Sequence, residues 1–301
     1  MADAERSPVS RGVSFAYVSL TYVLACWAAW WTFDASGGGW PAASLAGLLA
    51  STVITIVASL AVNNGSVFDP WWSVLPPIAA LWLAVRAPVL DLRTMLVLVV
   101  VGLWAVRLTL NWARGWPGLH HEDWRYEKLY REWPLPRWLT LVLGVEVVPT
   151  LIVWLGCLPL GPALSGAGGP AGVVDGVAFL IGLGATTLEL VADEQMRRFA
   201  RTKASGDVMQ GGLWRFSRHP NYFGELLFWV SLLIFALASD PGAWWAGAGV
   251  LAMLGMFIFA SIPMLDERSR ARRPGFEAYA QLTSALVPWP PRADDRGPAG
   301  R

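Results

Sequence analysis

The sequence predicts an all-α fold, a polytopic integral membrane bundle of seven or eight transmembrane helices. Three observations lead there. Of 301 residues, 55% are hydrophobic and only 15% charged, with a mean hydropathy of +0.45, which does not fit a water-soluble globule. Apolar runs long enough for the ~30 Å hydrocarbon core, about 20 helical residues, recur along the chain. Lys and Arg concentrate in some of the connections between those runs.

In chain order the apolar runs are 13–33, 42–62, 71–86, 93–110, 138–160, 173–192, 222–239 and 242–263. The first follows the polar start MADAERSPVSR without an A-x-A-like cleavage site, so it reads as a retained anchor. The run 71–86 is short and contains Pro76 and Pro77, and 222–239 begins with the polar cluster from Asn221 to Glu225. Both are expected to be kinked, tilted or partly re-entrant. Loops near 34–41, 160–172 and 239–241 lack Lys and Arg, whereas 111–137, 194–223 and the tail after 264 are Arg-rich. The positive-inside rule places the rich set, and both termini, in the cytoplasm of what reads as a bacterial inner membrane. Arg86 and Arg93 are the exception: they fall outside if all eight runs span, so one early span is open to miscounting.

Composition excludes several functions. A net charge of +1 is too balanced for a protein that neutralises many phosphates of nucleic acid. Two cysteines, Cys26 and Cys157, sit in apolar runs and read as packing residues. Three histidines, His120, His121 and His219, are too few for a multi-histidine di-iron site, and no metal site is expected. GAGGPA at 166–171 fits a dinucleotide fingerprint but follows no strand. GAGVLA at 247–252 reads as small residues admitting a neighbouring helix. His120-His121-Glu122-Asp123 lacks H-E-x-x-H spacing and reads as a solvated loop.

What remains is polarity where polarity is costly. In 189–201, Glu189, Asp193 and Arg197 recur every four residues and share a helix face, which serves either as an internal ion-pair ladder or as the polar wall of a ligand site. In GGLWRFSRHPNYFGELLFW, 211–229, Pro220 suits the first turn of a helix, with Asn221 and Glu225 on one face. Free N–H groups at that helix start, with Arg215, Arg218 and His219, make an anion site; the bland alternative is arginines snorkelling to headgroups. Arg107 lies inside its span, one turn before Asn111, and must be paired. Trp112, Trp116, Trp124 and Tyr126 read equally as an interfacial belt or as binding residues. Asp69 is the early carboxylate best placed to reach into the membrane, and Glu146 is a mid-span acid with no evident partner beyond a neighbouring helix.

GLWRFSRHPNYFGE (212–225) together with RLTLNWARGWPGLHHEDWRY (107–126) resembles bacterial membrane proteins of unknown function grouped with the steroid 5-alpha-reductase family, over about Asn63 to Trp289. The resemblance implies a catalytic domain at 63–289, which leaves a transmembrane hairpin at 1–62 before it, and the Pro-, Arg- and Asp-rich stretch 290–301 reads as a disordered tail. The resemblance also implies NADPH-dependent reduction of a conjugated enone in a bundle open to lipid, with the nucleotide entering from the cytosol. Asp193, Asn221, Glu225, Arg107 and Asn111 match the family's cofactor-contacting positions, and FEAYAQLTSALVPWPP resembles its C-terminal segment, placing Tyr279 near the cofactor. The chain departs from the family at Asp69, a shorter acid seven residues before Pro76; at Trp104, where the family has Tyr; and at Glu189, where it has Asn.

The expected arrangement is therefore an NADPH pocket in which Arg197, Arg215, Arg218 and His219 hold phosphates and Asn221, Glu225 and Asp193 orient the nicotinamide. Asp69 is the expected acid and Tyr222 the reserve donor, acting on a lipid-like or steroid-like substrate from the bilayer. The alternative is an S-adenosylmethionine-dependent methyltransferase similar to isoprenylcysteine carboxyl methyltransferases, because RHPNYFGE at 218–225 satisfies both patterns. A non-enzymatic lipid-binding subunit is the third reading. The sequence leaves the oligomeric state open.

Overall fold

A computed structural model describes residues 9–166 and 168–292, and the regular structure among them is helical. In chain order the helices of seven residues or more are α1 (Arg11–Ala35), α2 (Trp40–Val62), α3 (Trp71–Ala84), α4 (Leu92–Gly115), α5 (Trp124–Glu132), α6 (Arg137–Cys157), α7 (Val173–Thr202), α8 (Pro220–Ser239), α9 (Pro241–Arg272) and α10 (Phe276–Leu282). Among the described residues seven of these, all except α3, α5 and α10, are long and apolar enough to cross a membrane. The protein is a polytopic helical membrane bundle.

Local chemistry sets the helix ends. The Ser10 side chain accepts from Val13 N at the start of α1, and Asp91 and Asp123 do the same for α4 and α5. Pro41 and Pro220 occupy first-turn positions, where the missing N–H is not needed. Asn63 ends α2 in the left-handed region (φ 50°).

The expected span at 71–86 is corrected. Helix α3 has 14 residues, about 21 Å at 1.5 Å per residue, too short for a ~30 Å core. Pro76 and Pro77 lie within it and remove two backbone donors. It is sheathed by protein instead of lipid, with Trp71, Leu75, Ala79 and Ala80 fully buried. Even so, it carries the chain from one end of the bundle to the other. Asp69, just before it, meets Tyr126 at the Arg-rich end, and Trp82 Nε1 donates to Asp34 at the Arg-poor end (2.9 Å). Arg86 and Arg93 therefore do lie at the Arg-poor end, and each is matched by an acid there, Arg86 by Asp34 and Arg93 by Asp175. Pairing, and not a missing crossing, resolves the exception in the charge pattern.

The α1–α2 hairpin shares its core with the remainder. Phe33 packs on Trp82 (5.3 Å between centroids), and Thr52 and Thr150 hydroxyls meet at 2.8 Å between α2 and α6. Glu146, fully buried, accepts from Thr55 of α2 (2.7 Å), so this acid does bind a neighbouring helix. Gly249 admits the backbone of α6: a Cβ there would lie 2.3 Å from Leu155 O, as the small-residue reading of 247–252 requires. At the centre Trp104 stacks on Phe228 (4.1 Å, 6°), with Trp229 edge-on to both. Outward faces carry exposed Leu20, Val23, Trp27, Trp31 and Phe259, a surface suited to lipid.

Candidate functional site

Two cavities open at the Arg-rich end and share a wall. The larger, about 750 Å³, lies between the end of α7, the 203–214 connection, the start of α8, the end of α9 and α10. Its lining includes Lys203, Arg218, His219, Arg268, Arg272 and Arg273. The second, about 550 Å³, lies deeper and is mostly apolar, with Trp72, Trp112, Met253, Met256 and Phe257 among its walls and Asp69, Arg125, Tyr126 and Glu225 as polar points. Asn221 and Tyr222 line both. Two π-helical turns, Leu141–Val147 in α6 and Phe257–Ser261 in α9, contribute walls to the apolar cavity; such turns shift side chains out of helical register.

The basic cavity is built by the C-terminal segment folding back over the start of α8. Arg218 N donates to Ser284 O (2.8 Å), Ser217 Oγ to Leu286 O (2.7 Å) and Trp289 N to Phe216 O (2.9 Å). The Arg218 guanidinium donates to Ala280 O and Thr283 O, the last carbonyls of α10, and to Asp266 (2.7 Å). His219 Nε2 sits 3.1 Å from the other Asp266 oxygen. Tyr279 donates its hydroxyl to Trp214 O (2.5 Å). Arg218, His219 and Tyr279 thus line the cavity while also holding it together.

Two expected phosphate-binding residues are elsewhere. Arg215 is exposed at the end of a single 3₁₀ turn and lines neither cavity. Arg197 pairs with Glu194 (2.7 Å) and donates to Asn111 (2.5 Å). It borders a separate groove of about 360 Å³ between α4 and α7, together with Asn111. The cations in their place are Lys203, Arg268, Arg272 and Arg273, none of which forms an ion pair among the described residues. The signal for the last three was the run RSRARR at 268–273, which sequence reasoning used only for orientation.

In the interior, Arg107 is surrounded by acids. It is in contact with Glu189, 2.9 Å from Asp193 and 3.9 Å from Glu225. Asn221 Nδ2 donates to Asp193 at 3.4 Å. Arg107 is therefore paired, as its place inside the span requires. Glu225 accepts from Trp104 Nε1 (3.0 Å) and Trp229 Nε1 (2.9 Å), one indole on each oxygen. Both oxygens of Glu225 thus receive a donor, which fixes the orientation of its carboxyl group.

Asp69 lines the apolar cavity and accepts from the Tyr126 hydroxyl at 2.5 Å. Burial pushes its carboxyl up to about 6, against the pull of Arg125 and the Tyr126 hydrogen bond. Tyr222 stacks between Phe257 (4.6 Å, 4°) and His219 (5.5 Å, 15°), one cavity on each side. Tyr126, open between belt and binding residue in the sequence, lines this cavity together with Arg125, which the sequence did not single out. Trp112, partly buried, stacks on buried Trp116 (5.0 Å). The solvated-loop reading suits His120 and His121, both exposed, but not Glu122, which accepts from Gly65 N (2.7 Å), Tyr130 (2.9 Å) and Arg137. No group of three His, Cys, Asp or Glu able to hold a metal ion occurs among the described residues.

No solved structure matches the chain. An uncharacterized protein of Schizosaccharomyces pombe (strain 972 / ATCC 24843) is 25% identical over 273 residues, which is 80% of this chain and 78% of that one. Residues 55–283 hold every cavity-lining residue described above, and they match the family described as Protein of unknown function (DUF1295), to which the chain therefore belongs.

Proposed function

We propose that the protein is a membrane-embedded, NADPH-dependent reductase of a conjugated carbon–carbon double bond in an apolar, lipid-like or steroid-like substrate. The reading rests on one observation: a basic water-side cavity and an apolar interior cavity meet at Asn221 and Tyr222. Lys203, Arg268, Arg272 and Arg273 line a cavity of about 750 Å³ and form no ion pair among the described residues, a donor set suited to a diphosphate and a 2′-phosphate. The positive-inside rule puts that end toward the cytoplasm. NADPH would supply a hydride. The residues do the rest: the basic set binds phosphates, Asn221 and Tyr222 stand where a ring passes from one cavity to the other, and the Trp- and Met-lined cavity excludes water. Tyr126, whose one hydroxyl proton rests on Asp69, would turn that proton to the substrate oxygen and so share the acid's part expected of Asp69 alone.

A second reading has its own support. Glu189, Asp193 and Glu225 outnumber Arg107, and an acidic wall suits the sulfonium of S-adenosylmethionine. The cations of the outer cavity favour the polyanionic nucleotide instead. Thermal shift of the detergent-solubilised protein separates the readings. NADPH is expected to raise the melting temperature in the native protein and to do little in Arg272→Ala. A response to S-adenosylmethionine but not NADPH would transfer the proposal to a methyltransferase, and a response to neither would leave a lipid-binding subunit.

A further inference from the structure

Three carboxylates in the bundle interior face one guanidinium. Arg107 reaches Glu189, Asp193 and Glu225 together. The other nearby cations are committed elsewhere, Arg197 to Glu194 and Asn111, Arg125 to Asp123. Two acids are left over, in a place where charges interact through protein and not through water.

Nor is the set closed on itself. Glu189 is 1% exposed, lines the apolar cavity, and its Oε1 has no hydrogen-bond partner. An acceptor left unpaired in the interior is costly, and this one is given room. A Cβ on Gly224 would lie 2.5 Å from Glu189 Cγ, so the glycine of NYFGE is what admits the longer acid. Glu225 is held as an acceptor by two indoles, and Asp193 also receives Asn221. The unsatisfied oxygen belongs to Glu189.

We infer that Glu189, with Asp193 and Glu225, forms a cation-complementing wall that makes the site bind the oxidised, positively charged nicotinamide more tightly than the reduced, neutral one. The inference rests on the reductase reading. Of the two ring states only the oxidised one supplies the missing positive charge, while the phosphates, common to both forms, are held in the outer cavity. A site biased in this way favours loss of hydride from the bound ring.

The test is calorimetric titration of the full-length protein in detergent with NADP⁺, NADPH and adenosine 2′,5′-bisphosphate. The native protein is expected to bind NADP⁺ the more tightly. Glu189→Gln is expected to shrink the ratio of the two affinities about tenfold or more, the size of one unit charge removed several ångströms away at an effective dielectric of about 20. The bisphosphate has no nicotinamide and should bind both proteins alike, which also shows that the variant is folded. Glu189→Asn, smaller and neutral, should repeat the loss if Glu189→Gln fails to fold. Equal affinity of the native protein for both ring states, or a ratio untouched by either variant, overturns the inference while leaving the reductase reading in place. If neither nucleotide binds the native protein, the reductase reading falls and the inference with it.

Discussion

Two buried arginines, Arg93 and Arg107, stand near opposite ends of α4, 3% and 8% exposed. Arg93 is balanced: it grips both oxygens of Asp175 (2.6 and 3.1 Å) and donates to Gly169 O and Ala238 O. It thereby ties α4 to the start of α7 and the end of α8 at the Arg-poor end. Arg107 is outnumbered, in contact with three acids, and its Nε has no partner. One arginine closes its end of the bundle. The other leaves charge unsatisfied beside a cavity, and that imbalance separates a structural ion pair from a candidate site.

Removing Arg93 is the severest way to probe the comparison. Arg93→Ala strands Asp175 in the interior, and breaking a buried pair in this way costs about 3–5 kcal/mol. A large fall in melting temperature is expected, with nucleotide affinity of the folded fraction unchanged. A change in affinity would mean that the closed end is coupled to the site. Next comes Tyr126→Phe, which removes one hydroxyl from the Asp69 pair. With a long-chain α,β-unsaturated ketone as probe, turnover is expected to fall about 10²-fold or more, with KM and melting temperature nearly unchanged. A loss confined to KM would make Tyr126 a binding residue only.

The same contrast explains what the residues disclosed before folding. Long apolar runs separated by charged or uncharged loops set the number and order of crossings, because lipid thickness fixes helix length. Pro76 and Pro77 already mark the run at 71–86 as short and irregular, but hydropathy does not register that protein surrounds it. Spacing of four gives Glu189, Asp193 and Arg197 one face, and the first two do meet Arg107 together, but each such step overshoots a helical turn by about 40°. By Arg197 the drift is about 80°, and that side chain turns to Glu194 and Asn111. RSRARR at 268–273 was visible as charge, yet whether a cation is paired depends on distant partners. Asp69 and Tyr126, 57 positions apart, meet only because α3 begins inside the bundle.

The unpaired cations give the third prediction. Replacing both Lys203 and Arg272 by Ala removes charges that pair with nothing among the described residues, so stability should hold. Affinity for adenosine 2′,5′-bisphosphate should fall about tenfold to a hundredfold, the worth of one or two charge-assisted hydrogen bonds. The native affinity should itself weaken with added salt, since the cavity opens to water. Affinity that is insensitive to both salt and substitution would place the nucleotide elsewhere.

The smallest expected effect concerns Asp69, whose burial raises its carboxyl to about 6. A folded-state value above the unfolded one means that the native protein holds this proton between about pH 4 and pH 6 while the unfolded chain has released it. The group's contribution to stability is thus fully present below about pH 4 and is lost as pH rises through 6. Asp69→Asn keeps an acceptor for Tyr126 and removes the titration. The variant should flatten the fall in melting temperature between pH 4 and 7, with a gain near neutrality of about 1–2 kcal/mol, discounted because Asp69 is partly exposed. Melting curves recorded in detergent across that range decide the matter. Parallel profiles for the two proteins would show that Asp69 is ionised throughout, and Tyr126 would then be oriented by a full charge in place of a protonated neighbour.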